Sequence, residues 1–124
     1  MGKTTFALAA ILAATLCAGE AAAHARLIHA SPRVGATLTQ APGELRLSFS
    51  EKIDPAGSAV VLIAPDGARA ALGALRLDAR DPHVVVAPVP VRLAPGRYRV
   101  QWTALSVDSH QTQGDFRFSI APAP

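Results

Sequence analysis

The chain has 124 residues, half of them apolar and 17% charged, which excludes a large multidomain enzyme and an intrinsically disordered segment. Twelve Lys and Arg against nine Asp and Glu leave a net charge of +3, and the cations stand singly along the sequence, as at Arg46, Arg69, Arg76 and Arg92. With no run of basic residues to track a phosphate backbone, nucleic acid is not an expected partner.

The first predicted element is a helical signal peptide over residues 1–23: Lys3, an apolar run from Phe6 to Leu16, then the small-residue stretch Ala21-Ala22-Ala23. The apolar run is shorter than the roughly 20 residues of a spanning helix, so the processed protein is expected to be secreted with no stable membrane insertion. Cleavage after Ala23 and cleavage after Ala25 both satisfy the small-x-small rule, and only the first leaves His24 as the new N-terminal residue. The sole cysteine, Cys17, falls in the removed segment, so the mature domain has no disulfide and depends on core packing.

Beyond residue 23 the pattern is that of strands. A short strand is predicted near Leu27. Leu45, Leu47 and Phe49 then alternate with Arg46, Ser48 and Ser50, the period of a strand with one buried face. Ala59 to Ala64 is a short apolar run rich in β-branched residues, a further short strand is expected near Leu72 to Leu77, and Val84 to Val89 is a second apolar run. Alternation returns in Tyr98, Val100 and Trp102 and again in Phe116, Phe118 and Ile120. Asp54-Pro55-Ala56-Gly57, Pro65-Asp66-Gly67, Asp81-Pro82-His83 and Pro95-Gly96 have turn chemistry. The expectation is an all-β, seven-stranded immunoglobulin-like sandwich with Greek-key connections over residues 24–120, followed by a frayed tail, 121–124, and lacking the Cys-Trp-Cys hallmark of antibody domains.

Few reactive groups remain. Past residue 23 there is no cysteine and no methionine, which excludes thiolate and thioether sites for Cu(I), iron–sulfur clusters and Cys-based zinc. Asp108-Ser109-His110 stands out, because residues two apart on an extended chain face the same way and a carboxylate and an imidazole can then meet one ion. On its own such a motif is more often an N-cap, an Asx-turn or a solvated surface pair. If His24 is the mature N-terminus, its α-amine and its ring Nδ1 form a chelate pair, and His110 and Asp108 complete a set of three nitrogens and one oxygen that suits tetragonal Cu(II).

At these residues the chain resembles the periplasmic copper-resistance CopC family. The likeness runs through His24, Ala30-Ser31-Pro32 with Gly35-Ala36-Thr37-Leu38, Leu45-Arg46-Leu47-Ser48-Phe49-Ser50-Glu51, Pro95-Gly96-Arg97-Tyr98-Arg99-Val100-Gln101-Trp102, Ser106-Val107-Asp108-Ser109-His110 and Gly114-Asp115-Phe116-Arg117-Phe118. The resemblance implies a seven-stranded sandwich and one Cu(II) per mature chain at His24, Asp108 and His110. It implies a periplasmic role in copper tolerance, storage or delivery, often alongside an inner-membrane CopD-type protein. It also gives Glu51 the role of hydrogen-bonding the N-terminal amine and fixing its orientation. With no methionine beyond Met1, the sequence matches a Cu(II)-only member.

His29 and His83 do not match the ligand positions and are expected as surface residues, with His83 in a turn. Two other functions fit the same composition. An N-terminal His with a second His resembles the histidine brace of copper monooxygenases, against which stands Asp108 in the position oxygen activation would need open. A metal-free interaction module is the other, since sandwich folds host many functions.

Overall fold

The computed structural model describes residues 24–124; the predicted signal peptide, with Cys17, lies outside the described residues. Nine strands follow in chain order: β1 (Leu27–Ser31), β2 (Thr37–Leu38), β3 (Glu44–Phe49), β4 (Ile53–Ile63), β5 (Arg69–Ala70), β6 (Arg76–Asp78), β7 (Asp81–Pro88), β8 (Gly96–Ser106) and β9 (Gln111–Ile120). β2 and β5 are two-residue pairings; the other seven are the strands of the expected sandwich. One sheet has the order β1-β3-β7-β6 and the other β2-β9-β8-β4-β5. All pairings are antiparallel except β2 with β9. The chain turns back within a sheet at β4–β5, β6–β7 and β8–β9 and crosses between sheets at every other connection.

Alternation decides which side chains fill the space between the sheets. Leu45, Leu47 and Phe49 of β3, Tyr98, Val100, Trp102 and Ala104 of β8, and Phe116, Phe118 and Ile120 of β9 are all buried. Phe49 and Trp102 meet edge to face across the two sheets, with ring centroids 5.1 Å apart. Each of the larger side chains among them contributes on the order of 2 kcal/mol by leaving water. The continuous run in β7 has a separate cause. Val85 and Ala87 face the core, while Val86 points outward and is still fully buried, because Arg46 of β3 and Arg76 of β6 flank it in register. Arg46 is paired with Asp78 and Arg76 with Glu44, so a neutral lattice of charged side chains covers the outer face.

Three local expectations differ from the structure. Asp54-Pro55-Ala56-Gly57 is not a chain reversal but a bulge inside β4, where the register against β8 shifts between Asp54 and Ala59. The turn chemistry is used in place: Asp54 Oδ1 accepts from Ala56 N at 3.0 Å, and Ser58 Oγ donates to Asp54 O at 2.7 Å. Asp81-Pro82-His83 opens β7; the reversal is two residues earlier, at Ala79 and Arg80, where Asp78 Oδ1 accepts from Arg80 N. The strand expected over Leu72 to Leu77 is confined to Arg76–Asp78. At the C-terminus, Ala121 N donates to Leu38 O at 2.8 Å, so hydrogen bonding reaches one residue past β9.

Candidate metal centre

The end of the sandwich where β3 and β8 finish and β1, β4 and β9 begin gathers the residues singled out in the sequence. β8 finishes at Ser106 and β9 starts at Gln111, leaving a tight connection that carries Asp108 and His110. Ser109 N donates to Ser106 O at 2.9 Å, and Ser109 takes a left-handed conformation with φ of 73°. Asp108 and His110 therefore meet across a turn, not along an extended strand. His110 Nδ1 lies 3.2 Å from Asp108 Oδ1. That separation is short, but the alignment is wrong for a hydrogen bond, and Nδ1 is a buried nitrogen with no hydrogen-bond partner. A buried polar atom without a partner is costly unless something else satisfies it.

Ser106 organises this turn. It is almost fully buried at 1% exposure. Its hydroxyl donates a short hydrogen bond to Asp108 Oδ1, accepts from His110 N at 3.3 Å, and lies 3.1 Å from His110 O. Chiefly because of the Ser106 hydroxyl, and with help from His110, the Asp108 carboxyl is held below the usual carboxylate range against partial desolvation. Asp108 is thus kept charged, with Oδ1 committed inside the turn.

His24 arrives from the other side. It is exposed and precedes β1, and the two residues after it are tightly held. Ala25 is 1% exposed and belongs to the core. Thr112 Oγ1, at the start of β9, donates to Ala25 O at 2.8 Å. Ser50, just past β3, accepts from Arg26 N through its hydroxyl at 2.9 Å, donates through its amide to Arg26 O at 2.9 Å, and brings its hydroxyl to 3.4 Å from His24 O. These bonds set the His24 ring against that of His110, edge to face, with centroids 4.9 Å apart. His24, Asp108 and His110 are thereby brought together as two adjoining pairs. Among the described residues, no three His, Cys, Asp or Glu side chains converge in a ready-made cluster.

Residues 27–121 match the family described as the CopC domain. The chain belongs to the CopC domain family. Protein YobA of Escherichia coli strain K12 is 32% identical over 111 residues, covering 90% of each chain. A copper resistance protein C of Xanthomonas campestris pv. juglandis is 30% identical over 115 residues, covering 89% of this chain and 90% of its own. Among solved structures, CopC from Methylosinus trichosporium OB3b superposes with a TM-score of 0.75 at 28% identity, covering 82% of this chain and 97% of that one.

Within this CopC domain the remaining sequence candidates fall as follows. Glu51 is half-exposed in the bend after Ser50, beside the clamp on the His24 segment. His29 is exposed on β1, opposite Ser48. His83 stands at the start of β7 with Nδ1 3.0 Å from Asp81 Oδ1, and that carboxyl is held low chiefly by the His83 backbone N–H. Sequence reasoning missed Ser50, Ser106 and Thr112. Small hydroxyl residues carry no signal of their own; only the register that faces them toward the two histidine-bearing segments gives them a role.

Proposed function

We propose that the protein is an exported, non-enzymatic carrier that takes one Cu(II) ion through His24, Asp108 and His110, with Glu51 orienting the free amine of a mature N-terminal His24. The observation that carries this is the pairing of the two imidazoles beside a carboxylate. An ion about 2.0 Å from one nitrogen of each ring lies about 3 Å from each ring centroid, so two rings on one ion have centroids no more than about 6 Å apart. The separation of 4.9 Å falls within that limit. The unpartnered, buried His110 Nδ1 and the ionised Asp108 are donors of the kind such an ion needs.

The donor set selects the metal. Nitrogen and carboxylate oxygen without thiolate or thioether suit Cu(II), and the only methionine of the chain is Met1. Anionic Asp108 in the set stabilises Cu(II) over Cu(I), which favours holding copper over redox turnover. Membership in the CopC domain family and the likeness to a copper resistance protein C support copper as the cargo. Tolerance, storage or delivery in the periplasm follows from that cargo, with an inner-membrane CopD-type protein as the partner the family resemblance implies.

The fold also favours one of the two cleavage sites. Cutting after Ala25 would remove a core residue and the carbonyl that Thr112 holds, whereas cutting after Ala23 keeps both and frees the His24 amine. Mass spectrometry of the exported protein is expected to give a chain starting at His24. Electron paramagnetic resonance of the copper-loaded form is expected to show a single tetragonal Cu(II) with nitrogen couplings. A chain starting at Arg26, or a spectrum without nitrogen ligands, would contradict the proposal.

A further inference from the structure

The arginines that stand singly in the sequence are gathered by strand register. Ile63 of β4 pairs with Arg69 of β5 on one side and with Arg99 of β8 on the other, and Arg99 pairs with Arg117 of β9. Residues directly opposite in a sheet share a face, so Arg69, Ile63, Arg99 and Arg117 form one row across four strands, about 14 Å from end to end. Arg97 lies on the same face, two residues from Arg99 along β8. The face points outward, since the alternate residues Leu62, Val100, Phe116 and Phe118 fill the core. Arg69, Arg97 and Arg117 are exposed and Arg99 is partly so. Asp115 is the carboxylate on this face that meets the row, bonded to Arg99 Nε at 2.8 Å.

The outer face of the other sheet is the internal control. There Arg46 and Arg76 are matched by Glu44 and Asp78 in a neutral lattice. Four arginines against one carboxylate, with Arg99 and Arg117 directly opposite, is an arrangement that costs stability. Nothing in the packing requires it.

We propose that the outer face of the five-stranded sheet is an adsorption surface for an anionic phospholipid bilayer. The face carries no exposed aromatic or large apolar side chain, whereas a protein partner would need an apolar or aromatic anchor at its centre. Phosphodiester headgroups need neither; they need guanidinium groups spread over a plane, and Arg pairs with phosphate in a bidentate manner. A shallow depression beside the row has Ala59 and Val61 in its lining as well as Arg99, Gln101, Thr103 and Asp115, and the polar members add contacts for a headgroup. The face is built on outward residues of β4, β5, β8 and β9, none of which supplies a proposed copper donor, so adsorption is independent of the copper reading.

The test is co-sedimentation of the exported, processed protein with vesicles of phosphatidylglycerol mixed into phosphatidylcholine, against phosphatidylcholine alone. Each arginine near such a surface contributes roughly a five-fold factor in partitioning, so the anionic vesicles are expected to bind at least about ten-fold more protein. That preference should disappear at high salt. Arg99→Gln with Arg117→Gln is expected to lower partitioning about ten-fold or more, while Arg33→Gln with Arg92→Gln, the same change in net charge elsewhere on the surface, lowers it far less. Cu(II) affinity is expected to be the same in all of these variants. Equal binding to neutral and anionic vesicles, an equal loss in both double variants, or retention on an immobilised acidic protein without any vesicle preference would overturn the proposal.

Discussion

His24 precedes the first strand and His110 the last, yet their rings meet edge to face with centroids 4.9 Å apart. The contact is secured by neither ring. It follows from Ala25 being buried in the core and from Ser50 and Thr112 binding the backbone on either side of it. Removing those hydroxyls should loosen the His24 segment while leaving both imidazoles intact. Ser50→Ala and Thr112→Val are each expected to weaken Cu(II) binding about ten-fold, as supporting hydrogen bonds around metal ligands commonly do. A competition titration checks this.

Ser106 offers a second separation of support from ligation. Its hydroxyl ties Asp108 Oδ1 and the His110 backbone into one turn. Ser106→Ala removes the hydroxyl donor from Asp108 Oδ1, leaving it only the long contact with His110 N at 3.4 Å, and is expected to lower stability and to cost at least about ten-fold in Cu(II) affinity. Ser106→Thr keeps the hydroxyl and should recover most of the affinity. Denaturant unfolding and competition titration on the same samples read both effects.

Much of the fold was legible because period-2 alternation is a direct consequence of a half-buried strand: Leu45-Arg46-Leu47-Ser48-Phe49 and Phe116-Arg117-Phe118 could be assigned a face from sequence. Asp54-Pro55-Ala56-Gly57 misled because an Asx cap and a glycine serve a bulge as well as a reversal. Gly57 is needed there for close approach, since a Cβ would sit 2.2 Å from Leu105 Cδ2. The two-residue strands β2 and β5 left no mark, as pairing that short depends on neighbours distant in sequence. At the candidate centre, the proposed donors His24, Asp108 and His110 were nameable from their chemistry. The hydroxyls that hold them were not, and neither was the arginine row, which exists only in the register of four strands.

Gly114 faces Trp102 directly across β8 and β9. A Cβ at this position would lie 2.5 Å from Trp102 Cζ2, an indole ring already packed against Phe49. Gly114→Ala must push that ring aside and is expected to destabilise the domain by about 1–3 kcal/mol. Denaturant unfolding should register the loss, and tryptophan fluorescence, which comes from Trp102 alone, should shift in the native state.

Acid should weaken the metal-free domain through its outer charged lattice. Arg46, by hydrogen bonding, is the main cause that holds the Asp78 carboxyl below its ordinary value, and the His83 N–H does the same for Asp81. A carboxyl whose pKa is lowered on folding stabilises the native state fully while ionised in both states. That contribution is lost as pH falls below the unfolded value and through the lower folded one. The melting temperature is therefore expected to decline below about pH 4, and less steeply in Asp78→Asn. Thermal unfolding across that range, in the absence of metal, gives the comparison.

The most direct measurement is a Cu(II) competition titration of the processed chain beginning at His24, set beside the same chain carrying His24→Ala. Loss of the ring that chelates together with the terminal amine should weaken binding by several orders of magnitude, with one ion per chain in the unsubstituted protein. An unchanged affinity in His24→Ala would contradict a copper site shared by His24, Asp108 and His110.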